Sequence, residues 1–388
     1  MTLRPAKRKN DGFSIFELII AMALGLVMLG AANQLFNSAV KTTALVSNRS
    51  EMQQNARAAM DLITKDVSMA GAGLPPGGIQ LPSGAGSSLS RFACDQTGVC
   101  YLTTNTYPVG TVGTVAPTTA VSNFMFGITP GFGKGMKALG PTTIAATNRT
   151  PDSITVAYVD FGFPLNQFTG AFSDMTGTKL TVTAPAPQPA TTPNATDPGV
   201  GIKVGDLLMV KTGGGVAVGE VSVVSPLATT GATVTFTNGD ALNINQTGAS
   251  NNMKAIVPLG SPIAPVPGVP SPPVTVVRLL VVTYYVEVPV IAGTTPRLMR
   301  QVNGNLPQPV ADNIIDMQFS YDMCDPANTV ACAAIRDPLA GNLSPGAIHK
   351  VNVQLMTQSL ASNSRNTQNM QLSTSVSARN MNYTNTYQ

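Results

Sequence analysis

The residues with the most chemical potential lie at the start of the chain, where Gly12-Phe13-Ser14-Ile15-Phe16-Glu17 joins a basic leader to an apolar run. Glu17 is a carboxylate at the edge of a segment, residues 18–32, that holds no charge. On insertion scales a charge at the centre of a membrane helix costs about 2.5 to 3.5 kcal/mol, and such a residue normally has a partner. Hydrolysis of the Gly12–Phe13 peptide bond would create one, because the freed α-amino group of Phe13 is a cation close to Glu17, in the same chain or in a neighbour's.

Other reactive residues are sparse. The four cysteines fall in two local pairs, Cys94/Cys100 and Cys324/Cys332. Four cysteines allow three pairings, and the turn-rich residues between the partners make the local disulfides the expectation, in a compartment oxidising enough to keep them. Asp312, Asp316, Asp322 and Asp325 form the densest acidic run. It has oxygens for a calcium ion but no Asp-x-Asp-x-Asp-Gly loop, so it reads as a solvated loop face. His349 is the single histidine and reads as a surface or strand-edge imidazole, and no metal site is expected. The chain shows no nucleophile elbow, phosphate loop or paired catalytic carboxylates, and one histidine argues against a histidine-based triad. No cofactor is expected, and the protein does not read as an enzyme.

The element that must position Phe13 and Glu17 is a helix. The apolar span 13–36 would measure about 36 Å at 1.5 Å per residue, against a hydrocarbon core of about 30 Å. Upstream, Arg4, Lys7, Arg8 and Lys9 face only Asp11, and this bias holds the N-terminus in the cytoplasm and sends the rest across the membrane. A cleavable secretory signal would end in small residues, which Ala31-Ala32-Asn33 supplies weakly. Glu17 argues against that alternative and against an uncleaved signal anchor.

These residues resemble the class III signal of type IV pilins and pseudopilins. In that family a prepilin peptidase cuts after the glycine, methylates the new N-terminal phenylalanine and leaves the apolar segment as the assembly helix. The resemblance implies that Gly12 is the cleavage-site residue, Phe13 the methylated N-terminus and Glu17 the assembly carboxylate. Residues 1–12 would be the leader peptide.

The formal charge of +4 belongs to that leader, which holds four of the 23 basic and one of the 19 acidic residues; without it 19 basic residues face 18 acidic ones, a net of +1. Such a chain lacks the electrostatic footprint of a nucleic-acid binder. With 43% hydrophobic and 11% charged residues among 388, it can bury a sizeable core. Residues 37–70 hold no proline or glycine, and Leu45, Met52, Ala56, Ala59, Met60, Ile63, Val67 and Ala70 recur at helical spacing, so an amphipathic continuation of the helix is expected there. Arg57/Asp61 and Asp61/Lys65 stand at i,i+4. Gly71, Gly73, Pro75 and Pro76 stop the helix.

Beyond, the period changes to two. Runs at 153–159, 179–183, 207–211, 216–224, 233–237, 274–290, 297–302, 314–321, 351–357 and 371–378 read as strands. Gly213-Gly214-Gly215 and Asn238-Gly239 read as hairpin turns. Proline-rich stretches at 184–198 and 258–273 read as extended loops. The expected fold class is α+β: a long N-terminal helix, membrane-spanning in its lower half, packed on a mainly antiparallel β-sheet domain that occupies residues 71–388. Tyr284-Tyr285, at alternate faces of one strand, reads as one core and one edge residue.

The C-terminal third, through Val282-Thr283-Tyr284-Tyr285-Val286, Leu298-Met299-Arg300-Gln301 and Asp312-Asn313-Ile314-Ile315-Asp316, is similar to the PilW-type minor pilins, as is 373–380. The likeness covers about 12–73 and 280–380. It implies a minor pilin of a type IV pilus at or near the filament tip, with prepilin peptidase, other major and minor pilins, the pilus assembly platform and a tip adhesin as partners. It also implies a single pass through the inner membrane before assembly. The alternatives are a minor pseudopilin of a type II secretion system and a tip adhesin or DNA-uptake subunit with the middle of the chain as its ligand surface.

Overall fold

A computed structural model describes residues 12–82, 124–138, 150–184, 193–227, 231–240, 242–246, 248, 252–257, 274–288, 295–323, 333–338, 343–359 and 368–381. Cys94, Cys100, Cys324 and Cys332 all lie outside the described residues, so the expected disulfides Cys94/Cys100 and Cys324/Cys332 do, too. Asp325, the loop 258–273 and most of 184–198 also fall outside. Helix α1 runs from Ile15 to Met69 without interruption. The chain divides after Glu51 into two compact units, and α1 contributes to both.

In the first unit the apolar side chains from Phe13 to Val46 are exposed. Leu45, expected on the packed face, is among them at 37% exposure. Burial starts at Met52 and follows the predicted stripe through Ala56, Ala59, Met60, Ile63 and Val67. The i,i+4 charges do not close: among the described residues no ion pair joins Asp61 to Arg57 or Lys65. Gly71 and Gly73, with φ of 77° and 76°, end the helix, and the turn they form is stitched to a strand, Gly71 N–H donating to Ala157 O and Val159 N–H to Ala72 O, both at 2.9 Å.

The second unit is built from strands. Four short ones come first: β1 (Ile79–Gln80), β2 (Phe124–Met125), β3 (Ile128–Gly131) and β4 (Met136–Ala138). The middle of the chain forms β5 (Ser153–Val159), β6 (Thr169–Phe172), β7 (Lys179–Thr183), β8 (Leu207–Thr212), β9 (Gly215–Glu220), β10 (Val223–Pro226) and β11 (Ala232–Thr235). The C-terminal third forms β12 (Thr275–Val288), β13 (Arg297–Val302), β14 (Gln308–Asp312), β15 (Ile314–Met323), β16 (Ala333–Ile335), β17 (Ile348–Gln358) and β18 (Asn369–Ser377).

The organising strand is β12. Its long run of β-branched and aromatic residues accepts β5 over Leu279–Tyr284, β8 over Thr275–Leu279 and β13 over Val282–Glu287, all antiparallel. The two-residue break between β8 and β13 is filled by Asn303, whose side chain donates to Leu279 O and accepts from Val281 N–H. Among the described residues only β4 pairs in parallel, with Val286–Val288. The resulting eight-stranded sheet stands beside a second sheet of order β16-β15-β17-β18 and a third of order β10-β11-β7-β6. The glycines at 213–215 do make a hairpin, joining β8 to β9 with Thr212 opposite Gly215. Asn238-Gly239 does not: it turns the chain out of β11 into an irregular loop.

Three cores follow from the alternation. The buried stripe of α1 packs on Ile154, Tyr284 and Leu298 from the first sheet and on Met317, Phe319, Val351 and Val353 from the second. The opposite face of β12, with Tyr285, Val281 and Leu279, closes on β1, β8 and Leu242. The middle of the chain has its own core around Phe172, Leu180, Val182 and Val234. Tyr284 and Tyr285 are therefore both core residues, each fully buried, because β12 is central and covered on both faces. The expected edge position is corrected for the same reason.

Candidate functional site

At the head of α1, Gly12, Phe13 and Ser14 lie outside the helix. Ser14 is of a favoured capping type, and its carbonyl takes the first helical hydrogen bond, from Leu18 N–H at 3.2 Å. Its hydroxyl accepts from Phe16 N–H at 3.3 Å, and Glu17 reaches back so that Oε2 accepts from Ser14 N–H at 3.1 Å. Ser-x-x-Glu is a reciprocal capping box, which satisfies two backbone donors that a helix start leaves open. Glu17 is thus partnered by its own backbone, a role hidden behind its charge although the Ser14/Glu17 spacing carries the signature. Phe13 is 88% exposed. From there the helix presents exposed and mainly apolar side chains for about nine turns, long and apolar enough to cross a membrane.

Within the second unit the helix is held by a buried acid that the apolar spacing concealed. Asp66 sits on the stripe between Ile63 and Val67 and is 3% exposed. Its Oδ1 accepts from the Tyr158 hydroxyl at 2.8 Å, and its Oδ2 from the Tyr284 hydroxyl at 2.5 Å and Arg300 Nε at 2.9 Å. β5, β12 and β13 each contribute one donor to this one carboxylate. Burial, then the Asp66 charge, pushes both phenols far above the usual tyrosine range. Burial opposes the Arg300 charge, but the Asp66 bond and charge outweigh it and hold the guanidinium protonated.

A second buried acidic site closes the loop after β11. Glu220 is 3% exposed, its Oε2 accepting from Leu242 N–H at 3.4 Å, while Asp240 accepts from Ile244 N–H at 2.7 Å and Asn245 N–H at 2.8 Å. Burial, then the neighbouring Asp240 carboxylate, pushes Glu220 up to about 8.

The acidic run predicted as one loop face is dispersed. Asp312 ends β14 exposed, Asp316 is buried and accepts from Gln318 Nε2 at 2.8 Å, and Asp322 pairs with Lys350 at 2.7 Å. Asp316 and Asp322 sit six residues apart on β15, about 20 Å at 3.4 Å per residue, and each has its own partner, so the run does not converge on one point. Among the described residues no three His, Cys, Asp or Glu side chains gather where a metal ion could be held. His349 is half-buried near the start of β17. Of the residues singled out from the sequence, Gly12 and Phe13 precede α1 and Glu17 lies in its first turn, bonded to Ser14. The disulfide candidates Cys94, Cys100, Cys324 and Cys332 belong to none of the described elements, and no disulfide is seen among the described residues.

No curated protein and no solved structure matches the chain. Residues 7–33, a span that includes Gly12–Glu17, match the family model of the prokaryotic N-terminal methylation motif, a class III signal, and this match supports a type IV pilin-like protein.

Proposed function

We propose that this chain is a minor subunit of a type IV pilus, a structural component at or near the filament tip. The observation that carries the reading is the methylation-motif match at 7–33 on a helix whose apolar residues from Phe13 to Val46 find no cover within the described chain. In this reading prepilin peptidase removes residues 1–12 and methylates Phe13, and the segment 13–36 rests in the inner membrane until an assembly platform extracts it. Residues 37–70 continue the helix, and 71–388 form the extracytoplasmic head, where an oxidising compartment would close Cys94 on Cys100 and Cys324 on Cys332. Other pilins then cover the apolar face.

Glu17 sets the axial register by meeting the α-amine of a neighbouring Phe13. An unpaired carboxylate in that apolar bundle is unfavourable, so misregistered subunits are rejected. A head with three separate cores and long loops suits a low-copy tip position better than a close-packed shaft.

Intact mass and N-terminal sequencing of the protein from its native membrane test the processing step, the expected product beginning at methylated Phe13. Glu17→Gln keeps an acceptor for Ser14 N–H but removes the charge. It should leave cleavage near wild type and lower incorporation into filaments by tenfold or more, and normal piliation in that variant would contradict the pairing. Loss of secreted enzymes with intact pili on gene deletion would place the subunit in a type II secretion pseudopilus.

A further inference from the structure

We infer that Ser14 is a positioning residue for leader removal: its capping box with Glu17 fixes the first helical residue at Ile15 and so keeps the Gly12–Phe13 peptide out of the helix. The inference rests on the proposed processing of this chain. A peptidase binds its scissile bond in extended form, with carbonyl and N–H free. A peptide inside the first helical turn is curled and its carbonyl is engaged.

Three bonds define where the helix starts: Leu18 N–H to Ser14 O, Phe16 N–H to the Ser14 hydroxyl and Ser14 N–H to Glu17 Oε2. All three meet at Ser14, one residue past Phe13. Among the described residues no hydrogen bond engages the Gly12–Phe13 peptide. Phe13 is exposed, and a Cβ at Gly12 would meet nothing within 4 Å. No packing among the described residues calls for glycine there. A requirement from outside, the close approach of a peptidase to the backbone, accounts for it.

The cap matters because a competing one stands upstream. Asp11 is a favoured capping type, and a helix restarted at Asp11 would take Gly12 and Phe13 as its first two residues, folding the scissile bond into the first turn. Ser14 decides between the two starts. Loss of a serine cap shifts such an equilibrium by about fivefold.

The test follows leader removal by prepilin peptidase on the full chain in membranes, with the loss of residues 1–12 read by mass spectrometry. Ser14→Ala should slow the initial rate about fivefold. Ser14→Asn and Ser14→Thr, which restore a capping acceptor with different shapes, should return it to within about twofold of wild type. Adding Asp11→Ala to Ser14→Ala, which removes the competing start, should recover most of the lost rate. Wild-type rates in Ser14→Ala, or no recovery in either rescue, would overturn the positioning role. A wild-type chain that is not cut after Gly12 overturns the processing reading itself, an outcome seen before any variant is compared.

Discussion

Replacing Asp66 by alanine takes a shared acceptor from two phenols and a guanidinium at once, leaving Arg300 Nε only the Tyr284 hydroxyl at 3.1 Å. Asp66 is 3% exposed, and the Arg300 side chain keeps 24% of its surface, so water reaches the arginine only in part. Removing one partner of a buried ion pair costs about 3 to 5 kcal/mol, and each buried donor left without a partner about 1 to 3. These terms overlap, because the three donors share two oxygens, and about 4 kcal/mol is the expected loss.

For a unit of this size that corresponds to a fall in Tm of about 8 °C. Asp61→Ala, on the exposed side of the same helix, should stay within about 0.5 kcal/mol. Near-UV circular dichroism in detergent is a direct probe, since the chain has no tryptophan and eight tyrosines, two of which are these donors.

The same cluster fixes an alkaline limit. Both phenols titrate higher in the folded than in the unfolded chain, so the folded state retains protons that the unfolded state releases above about pH 10. Their contribution is complete below that pH and is lost as pH rises past it. A melt of Asp66→Ala within about 2 °C of wild type would refute the idea that this carboxylate clamps α1 to the sheet.

The Glu220–Asp240 pair makes the opposite side of neutrality informative. With Glu220 raised from 4.5 to about 8, its contribution to stability is complete below pH 4.5 and falls as pH rises to 8, with a ceiling of about 5 kcal/mol. Glu220→Gln, which fixes the uncharged form, should be more stable than wild type at pH 8 and show a flatter profile between about pH 5 and 8 by urea denaturation. Parallel profiles would rule out the raised Glu220 carboxyl. Gly135→Ala should cost more than about 3 kcal/mol, since its Cβ would come within 1.9 Å of Asp152 O, a backbone atom that cannot turn aside. Gly133→Ala, where nothing lies within 4 Å and φ is +64°, should cost only about 1 to 2 kcal/mol of left-handed strain; equal losses in chemical denaturation would show that the close approach is not real.

What could be read from the sequence followed from periodicity, and what could not followed from exceptions to it. The helix, its glycine stop and the long strands β5, β7, β12, β13, β15, β17 and β18 announce themselves because their apolar residues repeat at 3.6 or 2 over many positions. The strands that escaped are short or carry proline. β3 holds Pro130, β10 ends at Pro226, and β14 holds Pro309 opposite Met299 where the register shifts. Each is the outermost strand of its sheet path, the place where a residue without an N–H donor is tolerated, so the residue that hid the strand also fixes its position.

Asp66 shows the converse. Its spacing places it on the buried stripe, and Arg300, alternating with Leu298 and Val302 on β13, stands on the matching face. A charged residue at an apolar position and an opposite charge at another were both visible, but their pairing across 234 residues was not. The head of α1 divides in the same way. That Glu17 needed a partner was evident from the cost of a carboxylate in an apolar helix. That its first partner is Ser14 N–H required the geometry. A local bond of this kind ties Glu17 to no residue beyond the first turn, so under the proposed processing the acid would serve the helix start before cleavage and be free to meet a cation afterwards.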